Sequence, residues 1–229
     1  MKSFGEHLEL TRKYEEEISQ FSYITRDTHR IVELGSVDGD TIYLFEATES
    51  DGTMVTSGWQ GDEPAGWETA KRLAVKFART SFIPYVSPAC FKTGEHRNYY
   101  GKNVDRGYPE ATTGESKILL ANLDRISSLS QKLFLSLQED AKRFVPYYYS
   151  WATPVEIEEI IETTIKRHFP LTEQLKYAAH QGMFGGFIVE LGAQMAVQLE
   201  TPADGSYTIA RRVDCLFDGS NRLLNAVAD

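Results

Sequence analysis

The sequence predicts an α/β protein of one domain, spanning residues 1–229, with a mixed, mainly parallel sheet and helices on both of its faces. Short apolar and β-branched segments alternate with amphipathic segments of helical period. Asp38, Gly39 and Asp40 separate two strand-like segments, which predicts an antiparallel hairpin at one edge of the sheet. No low-complexity linker and no repeat divides the 229 residues, which favours one domain.

The predicted elements follow in chain order from apolar periodicity and from turn and cap residues. They are a helix over 3–18, hairpin strands over 31–37 and 41–48, a strand over 53–59, a helix over 64–78, a strand over 82–88, a helix over 115–130, a strand over 132–140, a helix over 153–167, a helix over 187–192, a strand over 195–202 and a helix over 206–228. Strands and helices therefore alternate over much of the chain after the hairpin.

Composition and charge exclude several classes of protein. With 41% hydrophobic and 25% charged residues, the composition is that of a globular chain rather than a disordered one. The formal net charge of −9 argues against a nucleic-acid-binding or anionic-membrane surface, because phosphate binding depends on clustered Lys and Arg. No apolar run has the length of a membrane span, and residues 1–7 lack the hydrophobic region of a signal peptide. We therefore expect a cytoplasmic protein.

The two cysteines, Cys90 and Cys215, are far apart in sequence and have no nearby cysteine. Neither a disulfide framework nor a thiolate metal site is indicated. A catalytic thiol needs a histidine and an orienting Asn or Asp, and His96 alone is thin support for such a role of Cys90. Both cysteines are therefore expected to be buried, unreactive side chains.

Polar side chains follow the predicted strand over 53–59 and precede the next helix. Gly58 and Gly61 allow the backbone to turn, and Gln60 and Glu63 leave the strand end together. A donor pair with two residues between its members, at the carboxyl edge of an α/β sheet, can close on a single cation. The same residues also suit an ordinary capped helix start, so the pair alone does not decide between the two interpretations.

This Gln-x-x-Glu junction resembles the His-x-x-Glu junction of the zinc carboxypeptidase superfamily, which includes carboxypeptidase A-like enzymes, succinylglutamate desuccinylases and aspartoacylases. Gln60 stands where the family has a zinc-binding His, and Glu63 matches its Glu. The strand over 132–140 ends in Ser-Leu-Gln-Glu-Asp and is similar to the family segment whose His is the third zinc ligand, with Gln138 in that place. A later Glu-Thr-Pro resembles the end of the strand that delivers the catalytic glutamate, here Glu200.

Residues 91–108 are similar to the family loop that binds the substrate. Arg97 matches the arginine for the scissile carbonyl, and Arg106 matches the arginine of an Asn-Arg pair for the substrate carboxylate. Asp105 replaces the Asn of that pair, and Asn103 precedes it, so these residues are assigned with Arg106 to substrate binding. Four segments in the family order cover nearly the whole chain, and the resemblance therefore implies the family fold.

The tyrosine-rich segment over 144–151 has two interpretations. It is either an edge strand whose aromatic side chains pack in the core, or a wall of the binding cleft, because a similar strand borders the substrate in the family. On the second interpretation, Tyr148 contacts the substrate.

The resemblance implies a zinc cofactor with Gln60, Glu63 and Gln138 as ligands, Glu200 as the general base and Arg97 as the group that stabilises the oxyanion. Amide oxygens bind zinc more weakly than imidazoles do, so another divalent cation, or none, is an open alternative. Neighbouring carboxylates can join the shell of a metal, and three lie beside these positions: Asp62, Glu139 and Asp140. Four histidines are expected away from the site: His7, His29, His168 and His180.

Two functions from different classes are compatible with these residues. The first is a metallocarboxypeptidase-like amide hydrolase that acts on a small peptide, such as one derived from peptidoglycan, or on an N-acyl amino acid. It is favoured because Glu200, Arg97 and Arg106 are all present. The second is a metal-free relative that binds a ligand or partner in the same cleft, favoured by the two Gln replacements and by Asp105, which would repel a substrate carboxylate.

Overall fold

Helices and strands alternate in the computed structural model, which describes residues 4–140, 142–170, 175–178, 182–203 and 205–228, with side chains from residue 9. The strands are β1 (His29–Val37), β2 (Asp40–Ala47), β3 (Thr53–Thr56), β4 (Ser81–Ile83), β5 (Leu133–Asp140), β6 (Tyr147–Trp151) and β7 (Ala196–Pro202). The helices are α1 (Phe4–Thr25), α2 (Pro64–Lys76), α3 (Pro88–Thr93), α4 (Gly114–Ala121), α5 (Leu123–Leu129), α6 (Val155–His168), α7 (Phe184–Glu190) and α8 (Ile209–Ala228).

All of these strands belong to one mixed sheet, in the order β1-β2-β4-β3-β5-β7-β6. The four central strands β4, β3, β5 and β7 are parallel to one another, and β2 and β6 pair with them in the antiparallel sense. The hairpin of β1 and β2 forms one edge. The predicted α/β class, with its mainly parallel sheet, is therefore confirmed.

Both faces of the central strands are buried, and each face packs against its own helices. Along β3, Met54 belongs to an apolar cluster with Phe184 of α7, whereas Val55 belongs to a cluster with Leu73 of α2 and Leu216 of α8. Successive strand side chains point to opposite faces, so these short apolar strands supply both cores. No helix among the described residues is both long and apolar enough to cross a lipid bilayer.

The predicted helix over 115–130 is divided into α4 and α5, and the break has a local cause. Asn122 lies between the two helices, and its side-chain amide donates hydrogen bonds of 2.9 Å to the carbonyls of Ile118 and Leu34. An Asn that bonds nearby backbone competes with helical hydrogen bonding. Two predicted strands are also shorter than expected, because β3 ends at residue 56 and β4 at residue 83.

A crevice opens at the carboxyl ends of the strands on either side of β3. The next strand in sequence, β4, lies on one side of β3, and β5 lies on the other. The connections that leave β3 and β5 therefore diverge, and ligands bind at such a point in open α/β sheets. Gln60 and Glu63 follow β3, and Gln138 lies near the end of β5.

Candidate active-site cleft

The start of α2 is arranged so that the Glu63 carboxylate does not cap the helix. Glu63 occupies the N-cap position, but its side chain makes no capping hydrogen bond. The Ala65 N–H instead donates to Glu139 Oε2 at 2.7 Å, and Arg212 of α8 donates to the other oxygen of Glu139. Glu139 thus satisfies an N–H group that an N-cap side chain usually satisfies, and Glu63 is left available to the cleft.

Four buried oxygen atoms at this junction lack a hydrogen-bond partner within the described part of the chain: Gln60 Oε1, Asp62 Oδ1 and both carboxylate oxygens of Glu63. Gln60 is 4% exposed and Glu63 is 1% exposed. Burial raises the pKa of Glu63 well above its ordinary value, and the carboxylates of Glu200 and Asp62 raise it further. Buried polar groups are normally hydrogen-bonded, so these oxygens indicate a place for a ligand.

Glu200 is held beside this junction by the pairing of β7 with β5. It is the register partner of Gln138 near the carboxyl ends of the two strands. Gln198 Nε2 donates to Glu200 Oε1 at 2.7 Å and fixes the carboxyl group. Burial raises the pKa of Glu200 to about 8, although the bond from Gln198 favours the charged form. A carboxyl group with a pKa near neutrality can both accept and release a proton.

The loop that carries Arg97 is held by one buried carboxylate. Glu115, in the first turn of α4, accepts hydrogen bonds from the Ser87 hydroxyl and from the Asn98 amide. Asn98 Oδ1 in turn accepts from two N–H groups of its own loop. Arg97 Nη1 donates to the Gly101 carbonyl at 3.0 Å. The guanidinium group therefore projects from a loop with defined hydrogen bonding.

Asp105 is a buried partner of Arg106 rather than an exposed repulsive charge. Arg106 Nη1 lies 3.4 Å from Asp105 Oδ2. Burial raises the pKa of Asp105, whereas Arg106 and hydrogen bonds from Gln138 and Gln198 act to lower it. Asn103 Oδ1 accepts the Asp105 N–H at 2.9 Å, which shapes the turn. The Arg106 side chain is 39% exposed, so it can bind an anion while Asp105 orients it.

One cleft of about 590 Å³ brings most of these side chains together. Asp105 is not part of its lining and reaches the cleft through Arg106. The residues assigned to the site from the sequence that do line it are Gln60, Glu63, Gln138, Glu200, Arg97, Arg106 and Asn103.

Tyr148 is the residue assigned to substrate binding that the structure places elsewhere. It packs in the core against α6, and its hydroxyl group donates to Glu162 at 3.2 Å. Its neighbours Tyr147 and Tyr149 line the cleft instead. Strand side chains alternate between faces, and a run of three tyrosines does not reveal which of them points inward. The edge-strand interpretation therefore applies to Tyr148, and the cleft-wall interpretation applies to Tyr147 and Tyr149.

His96 is a cleft residue that the sequence pattern did not place there. Its Nδ1 lies 3.5 Å from Asp62 Oδ1. One ligand atom from each of Asp62, Glu63 and His96 lies within 4.8 Å of the other two. The available signal was its position directly before Arg97. Of the other histidines, His29 lies in β1 and His168 ends α6, while His180 and the side chain of His7 lie outside the described residues.

The donors at the start of α2 fit a divalent cation. Carboxylate and amide oxygens suit hard cations, and imidazole also suits zinc. The oxygens of Gln60 and Glu63 have no hydrogen-bond partner among the described residues, and a bound cation would provide one. Gln138 differs, since its Nε2 donates to Ser136 Oγ at 3.0 Å within β5.

Comparison with solved structures decides the fold family. A candidate metallopeptidase from Shewanella denitrificans is 25% identical to this chain, with 94% of this chain and 89% of that chain covered at a TM-score of 0.82. A metallo-carboxypeptidase from Burkholderia cenocepacia is 15% identical, with 93% and 69% covered at a TM-score of 0.70. The chain has the zinc-carboxypeptidase fold.

A third structure extends this likeness within the zinc-carboxypeptidase fold. A succinylglutamate desuccinylase from Silicibacter sp. TM1040 is 18% identical, with 87% of this chain and 66% of that chain covered at a TM-score of 0.62. No protein-family model and no curated protein matches the sequence. The resemblance inferred from four ordered segments is thus confirmed by structure.

Proposed function

We propose that this protein is a cation-dependent amide hydrolase that cleaves a small peptide, such as one derived from peptidoglycan, or an N-acyl amino acid. The position of Glu200 carries the proposal. It is a buried carboxyl group that lines the same cleft as the unpaired oxygens of Gln60 and Glu63. A proton-transfer group beside a cation site is the arrangement that hydrolysis of an amide needs.

Basic side chains in the cleft provide a site for a substrate carboxylate. Arg106 lines the cleft, and Asp105 holds one of its nitrogen atoms. The guanidinium group has five N–H donors, so others remain to form a paired contact with a carboxylate. Lys142 and Arg143 also line the cleft. A volume of about 590 Å³ suits a small substrate rather than a folded protein segment.

Hydrolysis requires water to attack the carbonyl carbon, the C–N bond to break and the leaving nitrogen to gain a proton. Glu200 takes the proton from water and delivers it to the leaving nitrogen. A pKa raised by burial to about 8 supports both transfers near neutral pH. A cation held by Gln60 and Glu63 would polarise the carbonyl group and lower the pKa of the attacking water.

Arg97 supplies a second group for the negative charge that develops on the carbonyl oxygen. One of its nitrogen atoms donates to the Gly101 carbonyl, and the side chain lines the cleft. The remaining N–H groups can donate to the oxyanion.

A second candidate function is ligand binding without catalysis. The observation that favours it is the hydrogen bonding of Gln138, whose amide donates to Ser136 and to Asp105. This internal network occupies the place of the family's third metal ligand. A cleft with that network can bind a carboxylate-bearing ligand through Arg106 without hydrolysing it.

The two functions are separated by one assay series. The full chain is incubated with peptides that have a free C-terminus, with muropeptides and with N-acyl amino acids. Zinc, manganese or cobalt is supplied, and release of the free amine is measured. We expect turnover in the wild type that a chelator removes. If the wild type is inactive on every substrate, while the double variant Gln60→His/Gln138→His becomes active, the ligand-binding function replaces the hydrolase.

A further inference from the structure

We propose that the cation in this cleft is held by Asp62, Glu63 and His96, with the Gln60 carbonyl as a further donor, and that Gln138 is not a ligand. The inference rests on the proposed function for its location only, because it concerns cation binding rather than hydrolysis. The family resemblance implies an imidazole ligand at the position of Gln138 on β5. In the proposed site the imidazole comes instead from His96, on the loop that carries Arg97.

Glu63 is the centre of the proposed site. Its carboxylate is 1% exposed, and neither oxygen has a hydrogen-bond partner within the described residues. The N–H of Ala65 donates to Glu139, so the Glu63 side chain is not needed to accept this hydrogen bond at the helix start. An unpaired, buried carboxylate is costly unless a positive charge accompanies it. A pair formed by Asp62 and His96 alone would leave Glu63 in that state.

The three ligand atoms are already close to the spacing that a cation needs. Ligands at about 2.0–2.2 Å from zinc lie about 3.3–3.6 Å apart in a tetrahedral site. The Asp62 Oδ1 to His96 Nδ1 distance is 3.5 Å, and the group of Asp62, Glu63 and His96 spans no more than 4.8 Å. Small side-chain rotations would therefore complete the site, and Gln60 Oε1 is a further unpaired donor at the same junction.

Backbone packing fixes the two loops that carry these ligands against each other. The Gly61 N–H donates to the Glu95 carbonyl at 2.8 Å. A Cβ atom at position 61 would lie 1.7 Å from the Cys90 carbonyl oxygen, so this contact is possible only with glycine. The hydrogen bond between Gly61 and Glu95 places the residue before Asp62 beside the residue before His96. The approach of the two ligands is therefore built into the backbone.

The side chain of Gln138 is hydrogen-bonded to other residues of the protein. Its amide nitrogen donates to Ser136 Oγ and to the buried Asp105, and its Oε1, unlike Gln60 Oε1, is not among the buried oxygens that lack a partner within the described residues. An amide oxygen is also a weaker zinc donor than an imidazole. The proposed site thus keeps Glu63, replaces the two missing histidines by Asp62 and His96, and leaves Gln138 to orient Asp105.

The test is cation binding by the full chain after removal of metal with a chelator. Zinc is titrated by calorimetry, and cobalt by its visible absorption, for the wild type, His96→Asn, Asp62→Asn and Gln138→Met. His168→Asn, in a histidine outside the cleft, is the matched control. We expect His96→Asn and Asp62→Asn to weaken binding at least about tenfold and to change the cobalt spectrum. Gln138→Met and His168→Asn should stay within about twofold of the wild type.

Unchanged affinity in His96→Asn would overturn the inference, as would a loss confined to Gln138→Met or a wild-type dissociation constant weaker than about 1 mM. His96 and Asp62 are both partly exposed, so their variants are expected to fold, and thermal unfolding checks this. Binding is measured without substrate, which separates the two proposals. Cation binding through His96 without hydrolysis of any substrate would contradict the proposed function and leave this inference intact.

Discussion

Gln138 and Glu200 are register partners on the parallel strands β5 and β7, so the family position of a metal ligand and the proposed proton-transfer group are fixed side by side. Strand pairing, rather than a flexible loop, sets their separation. Gln198, two residues before Glu200, donates to its carboxyl group at 2.7 Å. Strand pairing and the bond from Gln198 therefore fix the position of the Glu200 carboxyl group, and substitutions there can be interpreted chemically.

Glu200→Gln is expected to abolish turnover while leaving folding and substrate binding nearly unchanged. The amide has the shape of the carboxyl group and keeps an oxygen for Gln198, but it cannot transfer a proton. Loss of general acid/base catalysis lowers kcat about 100- to 10,000-fold. Steady-state kinetics and calorimetric binding of the substrate check this. The same change at Glu190, exposed at the end of α7, is the control, and retained turnover in Glu200→Gln would contradict the role of Glu200.

Arg106→Ala is expected to raise KM for substrates with a free carboxylate and to leave kcat nearly unchanged. A hydrogen bond to a charged group contributes about 1.5–3 kcal/mol, which corresponds to about a 10- to 100-fold change in affinity. Substrates whose carboxylate is amidated lack this contact and serve as the matched comparison. An equal loss for both substrate forms would mean that Arg106 supports the cleft through Asp105 instead of binding the substrate.

Gly61→Ala is expected to lower the free energy of unfolding by about 1–3 kcal/mol and to weaken cation binding. The new methyl group would meet the Cys90 carbonyl oxygen at 1.7 Å, so the two loops must separate. Gly219→Ala in α8 is the control, because its methyl group would have an ordinary contact of 3.4 Å with Leu199. Urea denaturation and zinc calorimetry measure both effects. Equal stability of the two variants would show that the loops can part without cost.

The contribution of His29 to the free energy of unfolding is expected to fall as the pH drops below about 6.5. Its Nε2 lies 2.8 Å from the Thr80 carbonyl, and burial lowers the pKa of its imidazole. The unfolded chain therefore binds a proton at a higher pH than the folded chain does. The contribution is complete above about pH 6.5, is lost as the pH falls through the lowered pKa of the folded protein, and then levels off.

Urea denaturation of the wild type and His29→Gln at several pH values measures this contribution as a difference. Between about pH 7.5 and about pH 5 the wild type should lose stability relative to the variant. Parallel profiles would show that His29 titrates alike in the folded and unfolded chains. Other titrating groups are common to both proteins and cancel in the comparison.

The sheet was predictable from the sequence because buried parallel strands are short, apolar and separated by amphipathic helices. The resemblance of Gln60, Gln138 and Glu200 to ordered family segments placed them at strand ends, and strand ends meet at one edge of a sheet. These positions depend on pairing between strands, which the alternation of apolar strands and amphipathic helices along the sequence specifies. The break at Asn122 depends instead on a long-range hydrogen bond to Leu34, which helical periodicity does not contain.

The loop residues could not be placed in the same way. His96 approaches Asp62 because Gly61 packs against the Cys90 carbonyl, a contact between distant segments with no periodic signal. Tyr148 was assigned to the wrong face because the phase of a strand is set by its pairing partner, here β7. The omission of His96 and the assignment of Tyr148 both concern the direction in which a side chain points once the element that carries it is known.

The link from Arg212 through Glu139 to Ala65 has a consequence for the order of assembly during synthesis. The helix start that presents Glu63 is completed by a carboxylate on β5, and that carboxylate is held by a side chain of α8. Ala65 and Glu139 therefore leave the ribosome well before the helix that carries Arg212. Until α8 emerges, Glu139 lacks its buried counter-charge, so the helix start that presents Glu63 is completed only when the last helix has been made.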